Sequence, residues 1–348
     1  MQTFRKHVLK FWDWFPTVAE RYGAMLKNDD GQQVVSEVNP EMGRILPNLS
    51  WAFGSDGEGY SFTLTGEGQI TKQLLTDFWL SQAVKVPDWI FHASRQPSSP
   101  ESVRSMAIGL GEEQHVDAEN FLIRTAVDEE AERIDITAWH PSYEHVGEEH
   151  HMPILFIFLD EALGEFGTQT SLGEISVEPV TPGNDTRPLV ELPKFIESVR
   201  KYHGWEKLSP LESYSAYEIT EPSDGPRGDT LFGTTCIPDQ IFDFIDNDGR
   251  LSDNPLAETG AELVYVAVDG SVFPDGSQVD VRSKIEDAID VNLRKQASAR
   301  SLGGAFGTRQ SYIEFLLFDG DNSRDIIRQT LKDLDLNELS SLEEFVQP

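Results

Sequence analysis

The chain has 348 residues, one cysteine and a formal net charge of −32, from 60 Asp and Glu against 28 Lys and Arg. That charge disfavours nucleic acid and anionic membranes and favours cations or basic proteins, while a single thiol excludes a disulfide framework and a thiolate metal cluster. Hydrophobic residues at 39% and aromatics at 10% argue against the disorder of acid-rich, aromatic-poor chains, and the length predicts about two domains.

The first expected element is a helix. Phe4, Val8, Phe11, Phe15, Val18 and Tyr22 recur at steps of four and three, with a kink or restart at Pro16. A second helix is expected over Val34 to Leu46, then a hairpin from Leu49 to Phe53 and Tyr60 to Thr65. Ile70 to Val84 reads as helix and Trp89 to Ala93 as a short strand before the loop Gln96 to Glu101. A second hairpin joins Asn120 to Val127 with Arg133 to Trp139 through the acidic turn Asp128 to Glu132.

Pro153 to Leu159 is apolar on every face, which fits a buried helix or a buried strand. Pro153 suits a first helical turn, and Ala162, Leu163 and Phe166 continue the spacing, so a helix is expected over Pro153 to Phe166. A strand follows at Ile175 to Val180. A helix faced by Leu192, Phe195, Ile196, Val199 and Tyr202 stops at Gly204. A domain boundary is therefore expected there, dividing the chain into 1–204 and 211–348.

Beyond it, Ser213 to Ile219, Asp229 to Thr235, Glu262 to Val268 and Ser311 to Phe318 read as strands. Helices are expected at Pro238 to Asp246, along Val281 to Leu293 and from Ile326 to Leu334, the last with Asn322 and Asp325 spaced as a capping pair. Hairpins with helices between them describe α+β sandwiches. The N-terminal segment Met1 to Lys10 has no apolar core of a signal peptide. The longest apolar run is far short of the roughly 20 residues that cross a bilayer. A cytoplasmic protein without a membrane segment is expected.

The segment Phe11-Trp12-Asp13-Trp14-Phe15 resembles the FWxWF start of a group of uncharacterised bacterial proteins. The hairpin near Gly57 to Gly66, the step Pro87-Asp88-Trp89 and the LDxxLGE-like stretch Leu159 to Glu165 carry the same resemblance. From about Tyr214 onward the chain distantly resembles a family of unknown function that is itself compared with regulator of ribonuclease activity B, a small acidic ferredoxin-like inhibitor. The resemblance implies two ferredoxin-like α/β sandwiches and transfers no catalytic residues.

Among candidate sites, His140, His145, His150 and His151 lie close in sequence with Glu144, Glu148 and Glu149 between them. Imidazole and carboxylate suit a divalent metal, but the spacing lacks the i, i+4 pair of HExxH. A solvated loop leading into a helix is the ordinary reading. Asp246-Asn247-Asp248-Gly249 is not an EF-hand, since Phe244 and Pro255 would fall at the first and last ligand positions. Cys236 is expected to be buried and structural. Gly303-Gly304-Ala305-Phe306-Gly307 is expected to allow a bend or bulge, with Arg300 and Arg309 beside it. Trp12 and Trp14 cannot both face inward from one helix, so one is expected on the surface or against another helix; core packing is the ordinary reading, and an interaction patch at Trp12 and Trp14 is the alternative.

These readings lead to a non-enzymatic acidic module of inhibitor or immunity type. It needs no cofactor, takes a basic protein as partner and does not bind nucleic acid. The alternative is a metal-assisted hydrolase built on the histidines.

Overall fold

The computed structural model describes residues 2–56, 59–110, 115–178, 183, 185–206, 209–274 and 277–346. In chain order its elements are α1 (Phe4–Lys27), α2 (Gly31–Ile45), β1 (Ser50–Asp56), β2 (Gly59–Thr65), α3 (Ile70–Ser81), β3 (Trp89–His92), α4 (Pro100–Ser105), β4 (Ala107–Gly109), β5 (His115–Asp117), β6 (Leu122–Asp128) and β7 (Arg133–Trp139). Then come α5 (Glu148–Leu163), α6 (Glu165–Ser171), β8 (Leu172–Val177), β9 (Arg187–Pro188), α7 (Leu192–His203), β10 (Ser215–Glu218), β11 (Thr230–Thr235), α8 (Pro238–Asp246), β12 (Glu262–Asp269), α9 (Gln278–Arg294), β13 (Ala299–Gly307), β14 (Gln310–Leu317), α10 (Asp321–Asp333) and β15 (Ser340–Glu344). The chain is α+β, as expected. Among the described residues no helix is long and apolar enough to cross a membrane.

Two compact units form, and they do not follow the sequential division 1–204 and 211–348. One comprises 1–62, 69–91 and 211–348; the other comprises 63–68 and 92–210. The physical reason lies in aromatic packing within the first unit. Phe4 of α1 and Phe78 of α3 both meet Phe318, with ring centroids 6.2 and 4.1 Å away. The start of α1 is pinned there as well, since Arg5 N donates to Phe318 O and Arg5 pairs with Asp319 at 3.0 Å.

In the first unit, the apolar face of α1 buries Phe4, Val8, Phe11, Phe15 and Tyr22. Of the kink or restart expected at Pro16, there is no restart: one helix continues through it. Pro16 itself is exposed. The sheet of this unit's C-terminal part runs β10-β11-β13-β14-β12-β15, and every pairing in it is antiparallel. One face carries Val264, Val266, Val268, Ile313, Phe315 and Leu317 against Ile285 and Ile289 of α9 and Ile327 and Leu331 of α10. The expected cap of α10 is corrected: Gly320 is the N-cap, Asn322 donates to Asp319, and Asp325 pairs with Arg328.

In the second unit the sheet runs β8-β7-β6-β9. β6 and β7 form the expected antiparallel hairpin, but β7 and β8 are parallel, so this sheet is not built from hairpins alone. The helix expected over Pro153 to Phe166 is two helices. Gly164, at φ +74, ends α5 and starts α6. A side chain at Gly164 would fall 3.0 Å from the carbonyl of Arg95 and 2.9 Å from Pro97.

Candidate functional site

The histidines do not converge. His140 is fully buried: its Nδ1 accepts from Ser142 N at 3.1 Å, so Nε2 carries the proton and donates to Asp117 O at 3.0 Å. His151 bonds Val146 O through Nε2 and stacks on Tyr143 with the rings 4.0 Å apart. His145 and His150 are exposed, and His150 lies 3.6 Å from Glu149. Among the described residues no three His, Cys, Asp or Glu are placed to share a metal ion.

Burial lowers the pKa of His140 below the ordinary imidazole value, outweighing the nearby Asp117. A second proton would sit on Nδ1, against the Ser142 N–H. The unfolded chain takes that proton near pH 6.5, so the stabilisation is whole above that pH and is lost as pH falls toward the lowered folded value. Replacing His140 by Asn should therefore cost stability at pH 7.5 and progressively less toward pH 5. Urea midpoints of the two proteins across that range check this; a gap that widens on acidification contradicts it.

The tryptophans of the FWxWF segment are occupied with packing. Trp12 is 5% exposed and its indole N–H donates to Trp79 O at 3.0 Å, which removes it from any surface patch. Trp14 is half-buried, edge-on to Phe11, Phe15 and Tyr22. In the LDxxLGE-like stretch, Glu165 is buried and works as a clamp. Its carboxylate accepts from Thr65 Oγ1 at 2.6 Å, Gly68 N at 3.0 Å and Arg95 N at 3.3 Å.

Cys236 is buried, and burial pushes its thiol up to about 11. A thiol held protonated at neutral pH is a poor nucleophile. Arg300 is engaged, donating to Asp77 Oδ2 and Leu211 O, whereas the Arg309 side chain is exposed and only approaches Asp229, at 3.9 Å. The Gly303–Gly307 segment belongs to β13, with a bulge between Ser301 and Gly303. Asp243, just before Asp246-Asn247-Asp248-Gly249, accepts from Asn247 Nδ2 and Ser252 N, which ties that segment into a turn.

The feature that composition and spacing did not bring out lies on α5. Ile154, Leu155, Phe158, Leu159 and Ala162 face the core. The spacing 149, 153, 156, 157, 160 defines the opposite face. Pro153 is exposed there, Phe156 is 40% exposed and Ile157 is 47% exposed. The run expected to be buried on every side thus presents an apolar strip to solvent. Acid frames it. Glu148 and Glu149 form the first turn and are exposed. Asp160, held above the usual carboxylate range by burial, lies at the far end beside Glu161. No Lys or Arg stands between Arg133 and Arg187, a stretch with ten Asp and Glu. On the same unit, the β6–β7 turn is folded by Asp128 Oδ1, which accepts from Glu130 N and Ala131 N; Glu129, Glu130 and Glu132 are exposed on it.

Compared with protein-family models, with curated proteins and with solved structures, the chain finds no match.

Proposed function

We propose that this is a non-enzymatic, acidic protein-binding module of inhibitor or immunity type, that it works in the cytoplasm, and that its partner is a basic protein. The observation that carries the reading is the exposed pair Phe156 and Ile157 on α5, set in a stretch rich in carboxylate and free of Lys and Arg. Interfaces concentrate their energy in an apolar centre with a polar rim. A rim of one sign steers the opposite sign and rejects its own. The same charge disfavours direct binding to phosphate backbones.

The C-terminal part supports the resemblance to regulator of ribonuclease activity B. β12, α9, β13, β14, α10 and β15 follow one another in βαββαβ order, with the strands side by side as β13-β14-β12-β15. On that order we propose that this part is a ferredoxin-like sandwich, extended at one edge by β11 and β10. We confine this fold proposal to the C-terminal part, because the second unit contains a parallel pair. Membership of the FWxWF group is proposed on the same footing.

A panel of small basic ribonucleases, passed over the immobilised protein in a salt series, tests the reading. At least one should be retained at low salt and released as salt rises. Phe156→Ser with Ile157→Ser should weaken retention about tenfold or more without changing the circular dichroism spectrum. Retention of acidic or neutral proteins regardless of salt would contradict the proposal.

A further inference from the structure

The first unit carries a groove of about 530 Å³ between α1 and the strand ends of β2 and β3. It exists because α1 turns Ala19, Gly23 and Ala24 toward it, residues too small to fill it. A Cβ at Gly23 would lie 2.8 Å from Cε2 of Tyr60, so the glycine lets that ring settle against the helix. Half-buried Tyr60 forms an aromatic wall backed by Trp89, which is 7% exposed, with centroids 5.3 Å apart. Trp89 is fixed by its indole N–H, which donates to Ala19 O at 3.1 Å. Asp88 sits in the left-handed region at φ +63, and its carbonyl accepts from Tyr60 N. Two exposed carboxylates, Glu20 and Asp88, line the groove, and among the described residues neither is in an ion pair.

We propose that this groove binds an arginine side chain presented by an extended segment of a protein. A planar guanidinium stacks on aromatic rings and bonds carboxylates in the same plane, and the groove supplies one wall of each kind. The volume exceeds that of one side chain and leaves room for the flanking backbone. The proposal rests on the reading of a basic partner only for the source of the arginine; the groove's chemistry stands apart from the α5 strip.

The test uses the full chain and a blocked Gly-Arg-Gly-Arg-Gly peptide. On titration, the Trp89 indole resonance, assigned with Trp89→Phe, should shift in a saturable way, while that of Trp205 should not. Ala24→Arg, at an exposed helix position, places a guanidinium beside the groove and should abolish the shift. Glu20→Gln with Asp88→Asn should weaken binding about tenfold, with a native spectrum throughout. Equal binding of a Gly-Gln-Gly-Gln-Gly peptide, shifts confined to other tryptophans, or no shift at millimolar peptide would each overturn the proposal. None of these depends on ribonuclease retention, so the α5 reading and the groove can fail separately.

Discussion

Replacing Arg227 by Met is expected to cost about 3–5 kcal/mol, and replacing Glu314 by Leu about as much. Replacing both should cost clearly less than either. Both side chains are fully buried, with Arg227 Nη2 2.6 Å from Glu314 Oε1 and 3.2 Å from Tyr217 Oη. The guanidinium lies over the rings of Tyr312, Tyr265 and Phe345, at 4.9, 5.3 and 5.6 Å. Yet Arg227 Nε and Nη1 and Glu314 Oε2 have no hydrogen-bond partner among the described residues. A pair so desolvated and only partly satisfied gains little over apolar side chains of similar volume, whereas one charge left alone is heavily penalised. Urea unfolding of the two single variants and the double variant, read as a double-mutant cycle, checks this. A double variant less stable than both singles contradicts it.

Glu165→Ala is expected to destabilise the second unit by about 3–5 kcal/mol. The loss strands the buried Thr65 hydroxyl and takes the acceptor from the part-buried N–H groups of Gly68 and Arg95. The clamp ties residues 63–68 to the body of the unit, so hydrogen exchange should accelerate there and along α6 first. Glu165→Gln keeps an acceptor but turns an N–H₂ toward those donors, and should fall between. Unchanged protection across 63–68 in the Ala variant would show that the clamp is not what holds this segment.

Much of the fold was legible in the sequence because burial leaves a period. The sequence predicts a helix over Pro238 to Asp246 and α8 forms over those residues, and the stop at Gly204 is a left-handed cap at φ +74. The misses have physical causes. β13 reads Ala-Arg-Ser-Leu-Gly-Gly-Ala-Phe-Gly, and its glycines carry no side chain to alternate. The space at Gly304 is taken instead by the Arg282 guanidinium, and at Gly303 by the carbonyl of Thr234. β15 lies at the sheet edge, half-solvated and rich in Ser and Glu, so no apolar alternation marks it. The grouping of 1–62 with 211–348 depends on contacts such as Phe4 with Phe318, which no local pattern encodes. As for the site, the continuous apolar run from Pro153 masked the exposed pair. Only the helix period, applied after Glu148 proved to be its start, separates Phe156 and Ile157 from their buried neighbours.

The most direct measurement is a hydrogen-exchange footprint of the complex with whichever basic ribonuclease is retained at low salt. Protection centred on residues 148–163, lost together with binding in the Phe156→Ser, Ile157→Ser variant, is the result expected. A complex that forms equally well with that variant, or one that leaves α5 as open as in the free protein, would contradict the proposal that this strip is the binding face.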